Sequence, residues 1–363
     1  MIESFTIISG IIALISILNN WDIKRKKSFF WAFIFILIIF DGLRWQMGTD
    51  WFSYYNYFQI ANNYFSPRFE PGFMLYTRLI RSFTENYSVY LLITTSAIYI
   101  GIFYTVFKIT KFSLLSLFFL TGTIPWYSGS LRQLMASIFF TIALKAVIER
   151  KLKYYIILML LGITFHVTNL AFLPMYWLYG MTTSMFLTIF VSLFAILSLM
   201  ELKYSYFDIL IHIFDPGKSI ENRIGGTLAE SHPAFGLLRK VLTLIGYIYF
   251  WNRSKLFSNK DKPDQAKVKF FLYMTSFSVA FYIIGTYYIS LFSSRLDIYT
   301  GIICASVLTG LLETSFKSKQ TRVLLFVFVL ILVIIFYSRL QMMDLFHPYS
   351  SIFYNINYHR ALY

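Results

Sequence analysis

Two segments of this chain place an arginine just inside a helix start, behind a run of serines. Ser128-Gly129-Ser130-Leu131-Arg132 opens an apolar stretch over 131–148, and Ser293-Ser294-Arg295 opens another over 296–312. A helix N-terminus already offers unpaired N–H groups and the positive end of the peptide dipole. A cation added there is unfavourable unless an anion shares the site. Guanidinium is a rigid fork that meets two phosphate or carboxylate oxygens at once. The pattern predicts an anion held by Arg132 and Arg295, with serine as N-cap in each case; snorkelling to lipid phosphate is the plain alternative. A third helix start, Pro233-Ala234-Phe235-Gly236, leads to Arg239-Lys240 and is a further candidate for the same cluster.

Two other places carry chemistry. Of the five histidines, His166 alone falls within an apolar run, at the break His166-Val167-Thr168-Asn169. Polar groups at such a break must be satisfied by protein or water, and an ionisable residue at membrane depth is a functional candidate by default. Its imidazole can move a proton; the alternative is a satisfied packing residue. Over 41–86, Asp41, Arg44, Asp50 and Glu70 stand among Trp45, Trp51, Tyr54, Tyr55 and Tyr57. Aromatic faces with interspersed carboxylates and guanidinia suit sugar rings and their hydroxyls, against the alternative of an interfacial aromatic belt. Arg44 and Asp50 flank a Gly48-Thr49 turn. Pro71 predicts a helix start after Glu70 that carries Arg78 and Arg81 one turn apart, amphipathic and interfacial.

The elements that must hold these groups are membrane helices. Of 363 residues, 58% are hydrophobic and only 13% charged, half the charge of a soluble domain. This excludes a soluble enzyme and a disordered chain. The single cysteine, Cys304, excludes a disulfide framework and a multi-cysteine metal site. Apolar stretches run over 2–18, 29–43, 87–107, 112–125, 131–148, 154–179, 184–200, 236–251, 270–291, 296–312 and 323–337. The net charge of +15 reads as cytoplasmic anchoring rather than nucleic-acid binding.

Lys24-Arg25-Lys26-Lys27 pins the first loop inside and the N-terminus outside. Alternation then places Lys108/Lys111 and Arg150-Lys151-Lys153 inside. If 154–179 crossed once, the loop 253–269, with six basic and two acidic residues, would fall outside. If it enters and returns, that loop and 317–322 fall inside. The stretch is therefore read as a broken or re-entrant pair of helices, each about 13 residues and too short for a clean span. The fold expected is an all-α, polytopic integral membrane protein of about 12 helical segments. It forms a single domain over 1–363, with both termini extracytoplasmic and outer segments 41–86, 201–235 and 338–363. On this topology ten of the thirteen outer basic residues are Arg and fifteen of the nineteen inner ones are Lys. No Asp-x-Asp occurs on the outer side, and no His-Glu-x-x-His, P-loop or Cys/His metal spacing occurs anywhere. No metal is expected, and arginines would have to neutralise a bound phosphate themselves.

In order along the chain, Gly42-Leu43-Arg44-Trp45, Gly48-Thr49-Asp50-Trp51 with Tyr54 and Tyr57, and Glu70-Pro71-Gly72-Phe73 come first. Ser130-Leu131-Arg132-Gln133 and Phe165-His166-Val167-Thr168 before Pro174 follow, then more loosely Arg295 and Pro348-Tyr349-Ser350-Ser351. This ordered set resembles the EpsG family of Wzy-type polysaccharide polymerases. The resemblance implies a multi-pass enzyme of the bacterial inner membrane working at its outer face on O-antigen, capsule or exopolysaccharide. It would transfer a growing glycan from undecaprenyl diphosphate to the sugar of a new lipid-linked repeat unit. The chemistry is metal-independent glycosyl transfer without cofactor, and a Wzx flippase and a Wzz-like chain-length regulator are the implied partners besides membrane lipid.

On that reading Arg132, Arg295 and Arg44 hold the donor diphosphate, and His166, or else Asp50, is the base. Glu70, Tyr54, Trp51, Arg78 and Arg81 meet the glycan. The rivals are an O-antigen ligase with the same donor, and a flippase or transporter of lipid-linked glycan.

Overall fold

The computed structural model describes residues 2–199, 233–257, 262–287, 295–340 and 349–353. Most of the 201–235 loop, the Ser293-Ser294 cap, Pro348 and the tail beyond 353 lie outside the described residues. The described chain is helical throughout: α1 (Ile2–Asn19), α2 (Ile23–Gly42), α3 (Trp51–Ile60), α4 (Pro71–Arg81), α5 (Tyr87–Ile109), α6 (Leu114–Thr121), α7 (Leu131–Ile148), α8 (Leu152–Phe165), α9 (Thr183–Leu199), α10 (Pro233–Phe257), α11 (Lys262–Tyr287), α12 (Arg295–Ser315) and α13 (Lys319–Leu340). The apolar stretches read from sequence coincide with these elements, and the ends are set by local chemistry. Asp22 and Asn86 cap α2 and α5 by accepting the N–H groups of Arg25 at 2.7 Å and Ser88 at 2.8 Å. Asn20 and Arg150 take left-handed backbone (φ 48° and 57°) at the tight α1–α2 and α7–α8 turns.

Among the described residues four helices are long and apolar enough to cross a membrane: α5, α7, α12 and α13. The most apolar window of α12 is 89% buried against 28% for α13, so α12 runs through the centre and α13 along the periphery. Every residue of α6 is buried, although it has only eight residues and gives way to a 3₁₀ turn at Ile124–Tyr127. Around this centre α1, α8, α10 and α13 turn Ile11, Ile157, Ile245, Leu324 and Ile331 outward, as helices solvated by hydrocarbon do.

Residues 152–179 fold back on themselves. Arg150, ahead of α8, donates to the carbonyl of Tyr176 at 3.0 Å and lies 4.3 Å from the Tyr176 ring. Tyr155, early in α8, reaches the carbonyls of Phe172 and Leu173 at 2.8 Å each. Start and finish therefore lie together, with the break at the far tip. The second limb differs from the expected helix of equal length: it is a six-residue 3₁₀ stretch, Val167–Phe172, followed by one short turn, Met175–Leu178. Pro174 carries no N–H to extend a ladder, and this limb has no room to propagate one.

The basic loops gather at one end of the bundle. Lys27 lies over the Phe112 ring at 4.5 Å, Lys111 pairs with Asp264, and Arg322 donates to Asn20 at 2.8 Å. The opposite end collects the N-terminal turn of α1, the region 41–86 and the starts of α7 and α12. Segment 349–353 is strapped there. Trp45 N–H donates to the Ser350 carbonyl at 3.0 Å and Ile352 N–H to that of Leu43 at 3.1 Å. Tyr349 stacks on Phe40 at 4.1 Å, and Phe5 of α1 meets the same Phe40 ring edge-on at 4.8 Å.

Candidate functional site

Three elements converge at the arginine-rich end: the start of α7 with Arg132, the start of α12 with Arg295, and the break at His166. Side chains next to the chemical groups tie them together. Gln133 donates to the Arg295 carbonyl, joining the two helix starts. Asn169 donates to the Ala136 carbonyl of α7 at 3.2 Å. Thr168 Oγ1 lies 3.0 Å from the hydroxyl of Tyr299, one turn beyond Arg295. Gly162 lets this happen, since a side chain there would occupy the space of the Asn169 amide. Tyr299 sits inside a π-helical turn, Ile298–Cys304, that shifts the register of α12 just after Arg295. The Tyr299 ring packs between Phe140 and Phe172 at 5.0 and 4.9 Å.

Arg132 is the best-defined cation of the group. Its Nη1 donates to Glu70 Oε2 at 2.7 Å and to the Arg68 carbonyl at 3.3 Å, and its guanidinium lies 5.0 Å from the Phe69 ring. The Tyr54 hydroxyl and this guanidinium influence each other electrostatically. Its Nε is buried and finds no partner among the described residues. Burial pushes the Tyr54 hydroxyl up to about 12; Arg132 opposes the shift and Asp50 adds to it. Tyr54 also donates to Asp50 Oδ2 at 3.4 Å, so Asp50, Tyr54, Arg132 and Glu70 form one continuous polar rim. The charges of Arg132 and Arg295 both bear on the His166 ring, which is only 4% exposed.

The serine cap expected for α7 is absent: Ser130 occupies the N-cap position but its side chain makes no capping bond. Glu70 and Pro71 open α4 as the Pro71 signal predicts.

The other candidates sort by geometry. Arg44 does not join the clamp. It is 3% exposed, its Nη1 donates to the Asp41 carbonyl and carboxylate at 2.7 and 3.0 Å, and its Nη2 donates to the Ser128 carbonyl at 2.9 Å. It braces the end of α2 against the loop before α7. Trp51 is buried too, its ring stacked on Tyr55 at 5.1 Å and meeting Trp45 and Tyr87 edge-on. Those neighbours cover the faces a sugar would need, so Trp51 is packing. Arg81 turns onto Phe58 and pairs with Glu85 at 3.7 Å. Arg78 remains exposed over Phe65. Lys240, in the third expected helix start, pairs with Asp297 and donates to Ser278 at 2.8 Å. Lys240 and Asp297 went unremarked as partners in sequence because no local spacing links α10 to α12.

The His166 ring is held by the residue two positions on. Its Nδ1 accepts the Thr168 backbone N–H at 3.2 Å and lies 2.9 Å from Thr168 Oγ1. A backbone amide can only donate, so the neutral ring carries its proton on Nε2. For the base expected from sequence, Nε2 would take up the acceptor proton only from the other tautomer. Among the described residues no group of three or more His, Cys, Asp or Glu is placed to hold a metal ion.

No curated protein sequence and no solved structure matches this chain. A family model does, however: the description EpsG family fits residues 27–351, from the first basic loop to the strap that closes over residues 43–45. That span takes in Arg132, the His166 break and Arg295, and on it this helical membrane protein belongs to the EpsG family.

Proposed function

We propose that this protein is a Wzy-type polysaccharide polymerase acting on undecaprenyl-diphosphate-linked glycans at the outer face of the bacterial inner membrane. EpsG membership supports the polymerase class. The observation that carries the reading is the convergence of Arg132, Arg295 and the His166 break at one end of the bundle, away from the lysine-rich loops. By the positive-inside rule the lysine end is cytoplasmic, so the arginines face the side where a flipped lipid-linked glycan waits.

The donor arrives with a good leaving group, and catalysis consists of stabilising charge and placing the acceptor. Arg132 and Arg295 hold the diphosphate. An acceptor hydroxyl attacks the anomeric carbon, the bond from that carbon to the diphosphate oxygen breaks, and undecaprenyl diphosphate leaves with the electron pair. The hydroxyl proton passes to Asp50, whose carboxylate lies on the same rim. Glu70 and the exposed Arg78 order the sugars, and the buried Tyr54 holds Asp50 in place. Arginines in place of a divalent ion make the reaction insensitive to chelator.

Purified protein in liposomes with undecaprenyl-diphosphate-linked repeat units is the decisive assay. Lengthened lipid-linked glycan without any other protein is the expected product. Transfer only onto a lipid-A core would make it a ligase, movement of intact substrate without elongation a flippase, and arrest by chelator with rescue by magnesium would end the arginine mechanism.

A further inference from the structure

The hydrogen bonds around His166 give the imidazole a definite job and name the residues that enforce it. Thr168 is bound to Nδ1 twice over, through its backbone N–H at 3.2 Å and its hydroxyl at 2.9 Å. The hydroxyl in turn meets Tyr299, which is fully buried and sits on α12 four residues after Arg295. Among the described residues the ring's hydrogen bonds fall at Nδ1, and the charges of Arg132 and Arg295 both bear on it. The ring is thus fixed on one side by a relay to the arginine-bearing helix and left with an N–H on the other.

We infer that Thr168 and Tyr299 are positioning residues that lock His166 in the tautomer with its proton on Nε2, and that His166 serves as a hydrogen-bond donor to the leaving diphosphate. This rests on the glycosyl-transfer reading above and deepens it. As the bond between the anomeric carbon and oxygen breaks, the electron pair settles on a diphosphate oxygen. His166 Nε2–H donates to that oxygen alongside the guanidinia, and no proton leaves the ring. The acceptor proton goes elsewhere, to Asp50. Because Tyr299 and Arg295 share one helix, a shift of α12 moves guanidinium and imidazole together and keeps their spacing.

Substitution chemistry separates a donor from a base. Glutamine places an amide N–H near the Nε2 position but cannot take a proton at neutral pH. In proteoliposomes with lipid-linked repeat units, His166→Gln is expected to keep elongation within about 10-fold of the parent, a loss of about 1.4 kcal/mol, whereas His166→Ala falls to background. Equal inactivity of both variants overturns the donor role.

The lock itself is read without turnover, by ¹⁵N NMR of histidine-labelled protein, with the His166 signals assigned by their absence in His166→Gln. The expected parent shows an unprotonated Nδ1 and a protonated Nε2. Thr168→Val and Tyr299→Phe remove the hydroxyl half of the lock and leave the Thr168 backbone N–H in place, so they shift the Nδ1 and Nε2 signals part of the way toward a mixture of tautomers and lower kcat more than they raise KM, while Thr168→Ser restores the parent spectrum. A protonated Nδ1 in the parent, or spectra unchanged in both variants, overturns the inference. Since the spectrum needs no polymer, its failure is distinguishable from failure of the polymerase reading, which the elongation assay alone decides.

Discussion

Arg132 carries the sharpest expectation at the scale of single residues. Arg132→Ala is expected to lower the elongation rate by about 100-fold or more, the order found when one preorganised donor to a developing oxyanion is removed. Single repeat units then accumulate on the acceptor lipid; a normal glycan ladder at normal protein level rejects the assignment. Arg132→Lys is also expected to fail, because a point charge cannot span Glu70 and two phosphate oxygens as the fork does. Tyr54 gives a pH signature. Its folded value of about 12 exceeds the ordinary 10, so its stabilising contribution is complete below pH 10 and is lost as pH rises toward 12. Tyr54→Phe should flatten the fall of melting temperature across that window; an unchanged slope would place the titration elsewhere. Arg132, Arg295 and His166 were legible in sequence because a misplaced charge or a broken apolar run stands out against helix chemistry. Arg44 was harder to place: its type suggested an anion, and its two Nη atoms are held by a carbonyl and carboxylate three residues back and a carbonyl 84 residues on.

Helices position those residues through a few close approaches. Gly48 has φ 99°, and a Cβ there would stand 2.6 Å from Gly129 Cα, so the turn holding Asp50 rests directly on the loop before Arg132. Gly48→Ala is expected to cost about 1–3 kcal/mol, read as a melting temperature lowered by several degrees. Gly162→Ala acts differently: it displaces the Asn169 amide and frees the break from α7. Elongation should fall more than thermal stability; an active variant would show that the tie to Ala136 does not matter. Helix periods and charge asymmetry made the apolar elements and the returning 152–179 segment readable. The 3₁₀ limb and the π-helical turn of α12 were not readable, because both depend on neighbours distant in sequence, Ala136 for one and the Phe140–Phe172 pair for the other.

For the whole molecule, the charge partition makes a topological prediction. Cys304 is buried, and Cys304→Ala leaves a background for single-cysteine probes. Asn63→Cys at the arginine end should react with an impermeant maleimide in intact spheroplasts, and Lys151→Cys at the lysine end only after permeabilisation. The reverse pattern would invert the protein and move the site to the cytosol. The strap of residues 349–353 over the turn at 43–45 has a consequence for biogenesis. Segments separated by some 300 residues must meet before the turn beside Arg44 is complete. A nascent chain still held by ribosome and translocon has Arg132 and His166 inserted but lacks this clasp. The turn beside Arg44 is therefore completed only after residues 349–353 have been made, about 180 residues after His166.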